Sequence, residues 1–237
     1  MASEIWTPTE FQKRLIANGF PLPQYGADGY WGAESEAATS SWFKTGWDLN
    51  GEPPPDTLPG GGAQAVPDEW LPECQMSKLI VHWTAGSYAI SATDREHYHI
   101  VVDGDGVLHR GDKSIKANVS TSDNDGYAAH TKNCNSGSIG ISACCMAGAQ
   151  ESPFQGGGYP LKPIQWVMLS IVAADCCRVY GIDVGPQTVL QHGEVEDNLG
   201  IAQDGKWDIC KLPWKPEMGA EAVGNEFRKL VSLRLGQ

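Results

Sequence analysis

The chain has 237 residues, enough for one domain of ordinary size and a small second one. Its 41% hydrophobic and 19% charged residues exclude a disordered or fibrous chain. Its 29 acidic against 17 basic residues give a net charge of -12, which excludes nucleic acid as a partner, because phosphate binding needs clustered Lys and Arg that release counterions.

In chain order, Thr7-Pro8-Thr9-Glu10 joins a capping box to a proline at the first helical position. It predicts a helix with Phe11, Leu15 and Gly19 on one face, which Gly19 can end. Asp28-Gly29-Tyr30-Trp31-Gly32 reads as a glycine-bracketed turn. A second helix is predicted from about Ser35 to Lys44, with Ala38 and Trp42 on one side. These elements make a small domain over residues 1–51. Residues 52–68, "EPPPDTLPGGGAQAVPD", read as a linker, stiff where proline dominates and loose at Gly60 to Gly62.

The second domain is assigned to residues 69–237. Lys78 to Trp83 reads as a buried strand. His97 to Asp103 and Val107 to Arg110 flank Gly104-Asp105-Gly106 and read as a hairpin. Ser138 to Cys145 is a further strand candidate. Pro163 opens a helix with apolar Val167, Ile171, Val172, Cys176 and Val179, up to Gly181. Thr188 to Leu190 is a short strand, and a helix from about Glu217 to Leu233 closes the chain. The order predicts an α/β domain with a mixed central β-sheet flanked by helices.

Seven cysteines, an odd number with two adjacent pairs (Cys144-Cys145 and Cys176-Cys177), suit buried thiols better than a disulfide scaffold. They imply synthesis in a reducing compartment. No apolar run approaches the roughly 20 residues of a membrane span, so no stable membrane insertion is expected. The start, "MASEIWTPTEFQKRL", lacks the basic and apolar regions of a secretory signal, and a cytoplasmic place of synthesis is the expectation.

Two histidines and a carboxylate near the ends of apolar runs, His82, His192 and Asp208, supply three ligands and leave a fourth tetrahedral position for water, the arrangement catalytic zinc requires. From about Lys78 to Trp214 the motifs "IVHWTAG", "HYHIVVDGDGVLHRG", "AAHTKNCNSGSIGIS", "QHGEV" and "GKWD" follow one another. In these the chain resembles the zinc-dependent N-acetylmuramoyl-L-alanine amidases of the peptidoglycan-recognition type, which include phage endolysins. The resemblance implies Zn2+ held by His82, His192 and a third ligand. Family members use Asp or Cys for the third, and Asp208 is assigned over Cys210 because Lys206 then keeps its place two residues earlier. It further implies catalytic roles for Lys206 and Tyr98, and substrate contacts from His130, Trp83 and Thr84. Ser142 stands where the recycling branch carries a glutamate. His97, His99 and His109 receive structural or surface roles, and Glu194 either orients the metal's surroundings or serves as a capping or surface carboxylate. The segment "EDNLGIAQDG" is read as a loop inserted near the site.

Residues 1–51, through "FQKRL", "NGF" and "DGYWG", are similar to the three-helix peptidoglycan-binding domain found beside many wall hydrolases. They depart from it at Ser35 and Trp42-Phe43. The implied function is a monomeric wall hydrolase of the endolysin type. It is made in the host cytoplasm and reaches peptidoglycan after the membrane is opened. The alternatives are a non-catalytic peptidoglycan receptor and a cytoplasmic muropeptide-recycling amidase.

Overall fold

The structure is a computed structural model that describes residues 8–17, 20, 22–30, 34–35, 37–39, 64–122 and 126–237. Helix α1 (Pro8–Ala17) starts at the proline predicted to open it. Gln12 lies buried on it and ties it to the turn that follows. Its amide donates to Asp28 Oδ1, the Tyr30 carbonyl and Ser35 Oγ, and accepts from the Gly29 N–H at 2.7 Å. Residues 34–35 and 37–39 are helical, as expected of the second helix. Thr7 of the capping box, Gly19, Trp31, Gly32, residues 40–44 with Trp42 and Phe43, and linker residues 52–63 lie outside the described residues.

Linker residues 64–68 fall within the second domain's packing. Val66 is buried, and the Ala65 and Val66 N–H groups donate to Asp175 Oδ2 at 2.7 and 3.2 Å. Asp175 also accepts from Arg178 at 2.9 Å. A buried carboxylate costs free energy unless hydrogen-bonded, and these donors satisfy it.

The centre is a five-stranded mixed sheet of order β3-β2-β4-β1-β5. It comprises β1 (Lys78–Trp83), β2 (Ile100–Val102), β3 (Leu108–Arg110), β4 (Ser138–Ala143) and β5 (Val189–Gln191). β1 runs parallel to both β4 and β5, β4 parallel to β2, and only the β2–β3 hairpin is antiparallel. Parallel strands covered on both faces read as continuous apolar runs, which is why Leu79 to Trp83 are all buried. The hairpin turn is built by Asp103, whose Oδ1 accepts from the Asp105 and Val107 N–H groups, and Gly106 supplies the positive φ of 83°.

The predicted strand start at His97 is corrected. Residues Ala92–His97 form helix α2, opened by a capping box in which Ser91 Oγ accepts from the Asp94 N–H and Asp94 Oδ2 from the Ser91 N–H. Helix α3 (Pro163–Tyr180) ends at Gly181 with φ 64°, as its sequence predicts. It is buried on nearly every side, between the sheet and the C-terminal helix. Helix α4 (Val195–Leu199) is short, and α5 (Ala220–Leu235) locks onto α3 through Trp166 and Phe227, ring centroids 4.9 Å apart. All seven cysteines are free, and burial pushes the Cys144 and Cys177 thiols up to about 12. They remain protonated small hydrophobes.

Candidate active site

The site forms at the carboxyl ends of β1 and β5, where open parallel sheets present their loops. His82 is on the last turn of register of β1, and His192 directly follows β5 at the start of a 3-10 turn, His192–Glu194. Because Val81 pairs with Gln191 in parallel register, the two imidazoles emerge side by side, centroids 4.6 Å apart. Asp208 reaches them from the loop after α4, tied by the Gly193 N–H donating to the Asp208 carbonyl at 2.6 Å. Gly193 is required here, since a Cβ would run into Cys210 Sγ. The Cys210 thiol therefore packs against Gly193, outside the group formed by the two histidines and Asp208.

Asp208 Oδ2 lies 2.9 Å from His82 Nδ1 and 3.1 Å from His192 Nδ1. One ligand atom from each of the three lies within 4.8 Å of the others, and all three residues are buried. On their outer sides, His82 Nε2 is 3.3 Å from both His130 Nδ1 and Thr131 Oγ1, and His192 Nε2 is 2.9 Å from Gln203 Oε1. Burial pushes His82 down to about 4, against the opposing pull of Asp208, so its imidazole is neutral at pH 7. Burial alone would raise the Asp208 carboxyl, but the hydrogen bonds to His192 and His82 hold it well below the usual carboxylate range. Imidazole nitrogens and an ionised carboxylate oxygen converging at one buried point are the donor chemistry of a divalent metal centre, so the residues fit a metal ion.

The cluster opens into a groove of about 470 Å³ whose walls include Trp83, Thr84, Tyr98, Lys206 and Trp207. The Trp83 and Trp207 rings meet edge to face, 4.7 Å apart. The Tyr98 ring lies 5.1 Å from His82. Burial, with the Asp208 charge added, pushes its phenol well above the ordinary range, so Tyr98 acts as an O–H donor. Lys206 is exposed at the rim, near enough for its charge to help hold His82 neutral. His130 borders the groove but is buried behind His82, its Nδ1 2.8 Å from Thr131 Oγ1. It lines the groove wall while its ring packs edge to face against His82, centroids 5.3 Å apart.

The remaining histidines stand away from the cluster. His99 accepts from the Gly140 N–H and meets Asn118 Oδ1 through Nε2; His109 pairs with Asp103; His97 binds the Thr93 carbonyl. Glu194 is no surface carboxylate: it is buried, accepts the Gln191 N–H and forms a bidentate pair with Arg228. Sequence reasoning missed Gln203, Thr131 and Arg228. Only Trp207, between Lys206 and Asp208, carried a local signal.

Comparison with family models matches residues 73–211 to the Amidase_2 family, described as N-acetylmuramoyl-L-alanine amidase. No curated protein matches the chain. Among solved structures, it is similar to the endolysin N-acetylmuramoyl-L-alanine amidase LysCS from Clostridium intestinale URNW, at 15% identity and a TM-score of 0.36, covering 56% of this chain and 76% of that one. It is also similar to the N-acetylmuramoyl-L-alanine amidase LysC from the same organism, at 14% identity and a TM-score of 0.36, covering 56% and 78%.

Proposed function

The chain belongs to the N-acetylmuramoyl-L-alanine amidase family, and from that premise we propose that it is a zinc enzyme of the endolysin type, with His82, His192 and Asp208 as its metal ligands. It hydrolyses the amide between N-acetylmuramic acid and the L-alanine of the stem peptide, leaving a carboxylate on the sugar and a free amine on the peptide. The observation that carries the zinc reading is the meeting of His82 Nδ1, His192 Nδ1 and Asp208 Oδ2 in one buried cluster beside the groove that His192 and Asp208 line.

Zinc in such a site acts as a Lewis acid and lowers the pKa of a coordinated water to about 7. The chain's own groups do the rest. Lys206 sets a cation at the rim, where the oxyanion of the tetrahedral intermediate develops. Tyr98 offers a phenolic O–H beside His82. Trp83, Thr84 and His130 hold the muropeptide in the groove. Non-catalytic receptors of this type commonly lose one of the donors, whereas all three converge here, which supports the enzyme reading.

Residues 1–51 are proposed to anchor the enzyme on peptidoglycan, supported by their resemblance to wall-binding domains. Tethering raises the local concentration of the catalytic unit at the polymer. The enzyme is proposed to work as a monomer. The seven free thiols support synthesis in the reducing host cytoplasm before release to the wall. No helix among the described residues is long and apolar enough to cross a membrane.

Mass spectrometry of peptidoglycan digests tests the zinc reading. Stripping the metal is expected to abolish release of stem peptides with a free N-terminal alanine, and added zinc to restore it. Elemental analysis is expected to show zinc lost in His82→Ala, His192→Ala and Asp208→Ala and kept in Cys210→Ser. Undiminished digestion by the stripped enzyme, or zinc lost in Cys210→Ser and kept in Asp208→Ala, overturns the assignment.

A further inference from the structure

The segment between His192 and Asp208 includes residues 196–205, read from sequence as an inserted loop. Its course is set by left-handed turns at Gly200 (φ 69°), Asp204 (φ 55°) and Gly205 (φ 73°). On its outer side Lys132 and Asp204 pair at 2.7 Å, but both are largely exposed, and such a pair contributes little. The buried tie is Gln203, only 3% exposed.

We propose that Gln203 is a positioning residue for the hydrolase: it locks His192 in the tautomer that carries its proton on Nε2 and turns its Nδ1 lone pair toward the metal position. This rests on the metal reading given above. Every polar group of Gln203 has an assigned partner. Its backbone N–H donates to Glu196 Oε2 at 3.0 Å. Its side-chain Nε2 donates to the Lys132 carbonyl at 3.0 Å and the Ile201 carbonyl at 3.1 Å. Carbonyls only accept, so the amide nitrogen must face them, and Oε1 is left facing His192 Nε2 at 2.9 Å.

An amide oxygen also only accepts, so His192 Nε2 must be the protonated nitrogen. That leaves Nδ1, the atom that lies 3.1 Å from Asp208 Oδ2, as the ring nitrogen turned toward the metal position. The loop thus does more than border the groove. It delivers one side chain, fixed by two hydrogen bonds of its own and one of its backbone N–H, to the far side of His192, and such outer partners set both ring orientation and ligand basicity.

The test uses the full chain with Gln203→Met, which keeps length and loses every hydrogen bond of the side chain, and Gln203→Glu, which keeps an acceptor for His192 and loses the donors to Lys132 and Ile201. Long-range nitrogen–proton spectra of the metal-free wild type are expected to show His192 protonated on Nε2; protonation on Nδ1 overturns the proposal. Zinc affinity, measured by competition with a chromogenic chelator, is expected to fall about 10-fold to 100-fold in Gln203→Met and to stay within about threefold of wild type in Gln203→Glu. Equal loss in both variants, or no loss in Gln203→Met, reduces Gln203 to a loop anchor and overturns the proposal. Should Gln203→Met fail to fold, the wild-type tautomer and the Gln203→Glu affinity decide it alone. A wild type that binds no zinc refutes the metal reading separately, because the tautomer is read without metal.

Discussion

Removing the Arg228 guanidinium strands the Glu194 carboxylate, which is 3% exposed, two residues after a proposed metal ligand. Arg228 donates to Glu194 Oε1 at 2.9 Å and to Oε2 at 3.0 Å, and its Nη1 also donates to the Val189 carbonyl at 3.0 Å. Glu194 Oε2 in turn accepts the Gln191 N–H at 2.9 Å, closing the turn that carries His192. Gly224 lets α5 come this close, since a Cβ there would enter the Glu194 carboxylate. With the partner gone, a buried charge keeps one backbone donor and no counter-ion, a loss of about 3–5 kcal/mol. For a folding unit of this size, each kcal/mol shifts the midpoint by about 2–4 °C, so Arg228→Met is expected to lower Tm by about 6–20 °C. Urea denaturation of the wild type, Arg228→Met, Glu194→Gln and the double variant closes a mutant cycle. Because Glu194→Gln removes the stranded charge, the double variant is expected to be more stable than Arg228→Met alone. A loss under about 1 kcal/mol in Arg228→Met, or a double variant no better than it, refutes the reasoning.

Lys206→Met and Tyr98→Phe are expected to keep zinc, read by elemental analysis, while turnover on muropeptides falls about 10²-fold to 10³-fold for each charge-stabilising group lost; near-normal turnover in both makes them structural residues. Burial holds His99 at about 4 against 6.5 in the unfolded chain, so the unfolded state takes up the proton first as pH falls. The stability His99 contributes is present above pH 6.5 and is lost as pH drops toward 4. The loss is about 3 kcal/mol at 1.36 kcal/mol per pH unit. In urea unfolding at pH 7.5 and 4.5, a His99→Gln variant is expected to show a smaller drop than wild type by that amount; equal drops contradict it. Deleting residues 1–63 is expected to spare hydrolysis of soluble muropeptides and weaken attack on intact sacculi, and equal clearing by both forms removes the anchoring role.

What could be read from sequence divides along the range of the forces involved. β1 and α3 were legible because full burial writes long apolar runs, and Pro163 and Gly181 mark the helix ends through their own backbone preferences. The hairpin was legible in Gly104-Asp105-Gly106. Helix α2 was not: six residues with one buried side chain carry no apolar period, and only the pairing of Ser91 with Asp94 announces it. Residues 64–68 read as part of the linker because the anchor of Ala65 and Val66, Asp175, lies more than 100 positions away.

The site divides in the same way. His82 lies next to the last residue of β1 and His192 directly follows β5, so the sequence that makes each strand also aims its imidazole. The choice between Asp208 and Cys210 turns on a contact that spacing does not encode. Cys210 Sγ packs against Gly193, whereas Asp208 Oδ2 faces both imidazoles. Gln203 and Arg228 act through partners in other segments, and neither belongs to a local pattern. Arg228 lies beyond the family match, which ends at residue 211, yet it braces the turn that carries His192. The chemistry is therefore written in short motifs, while the rigidity that a 3 Å donor geometry demands comes from an inserted loop and a C-terminal helix that those motifs do not include.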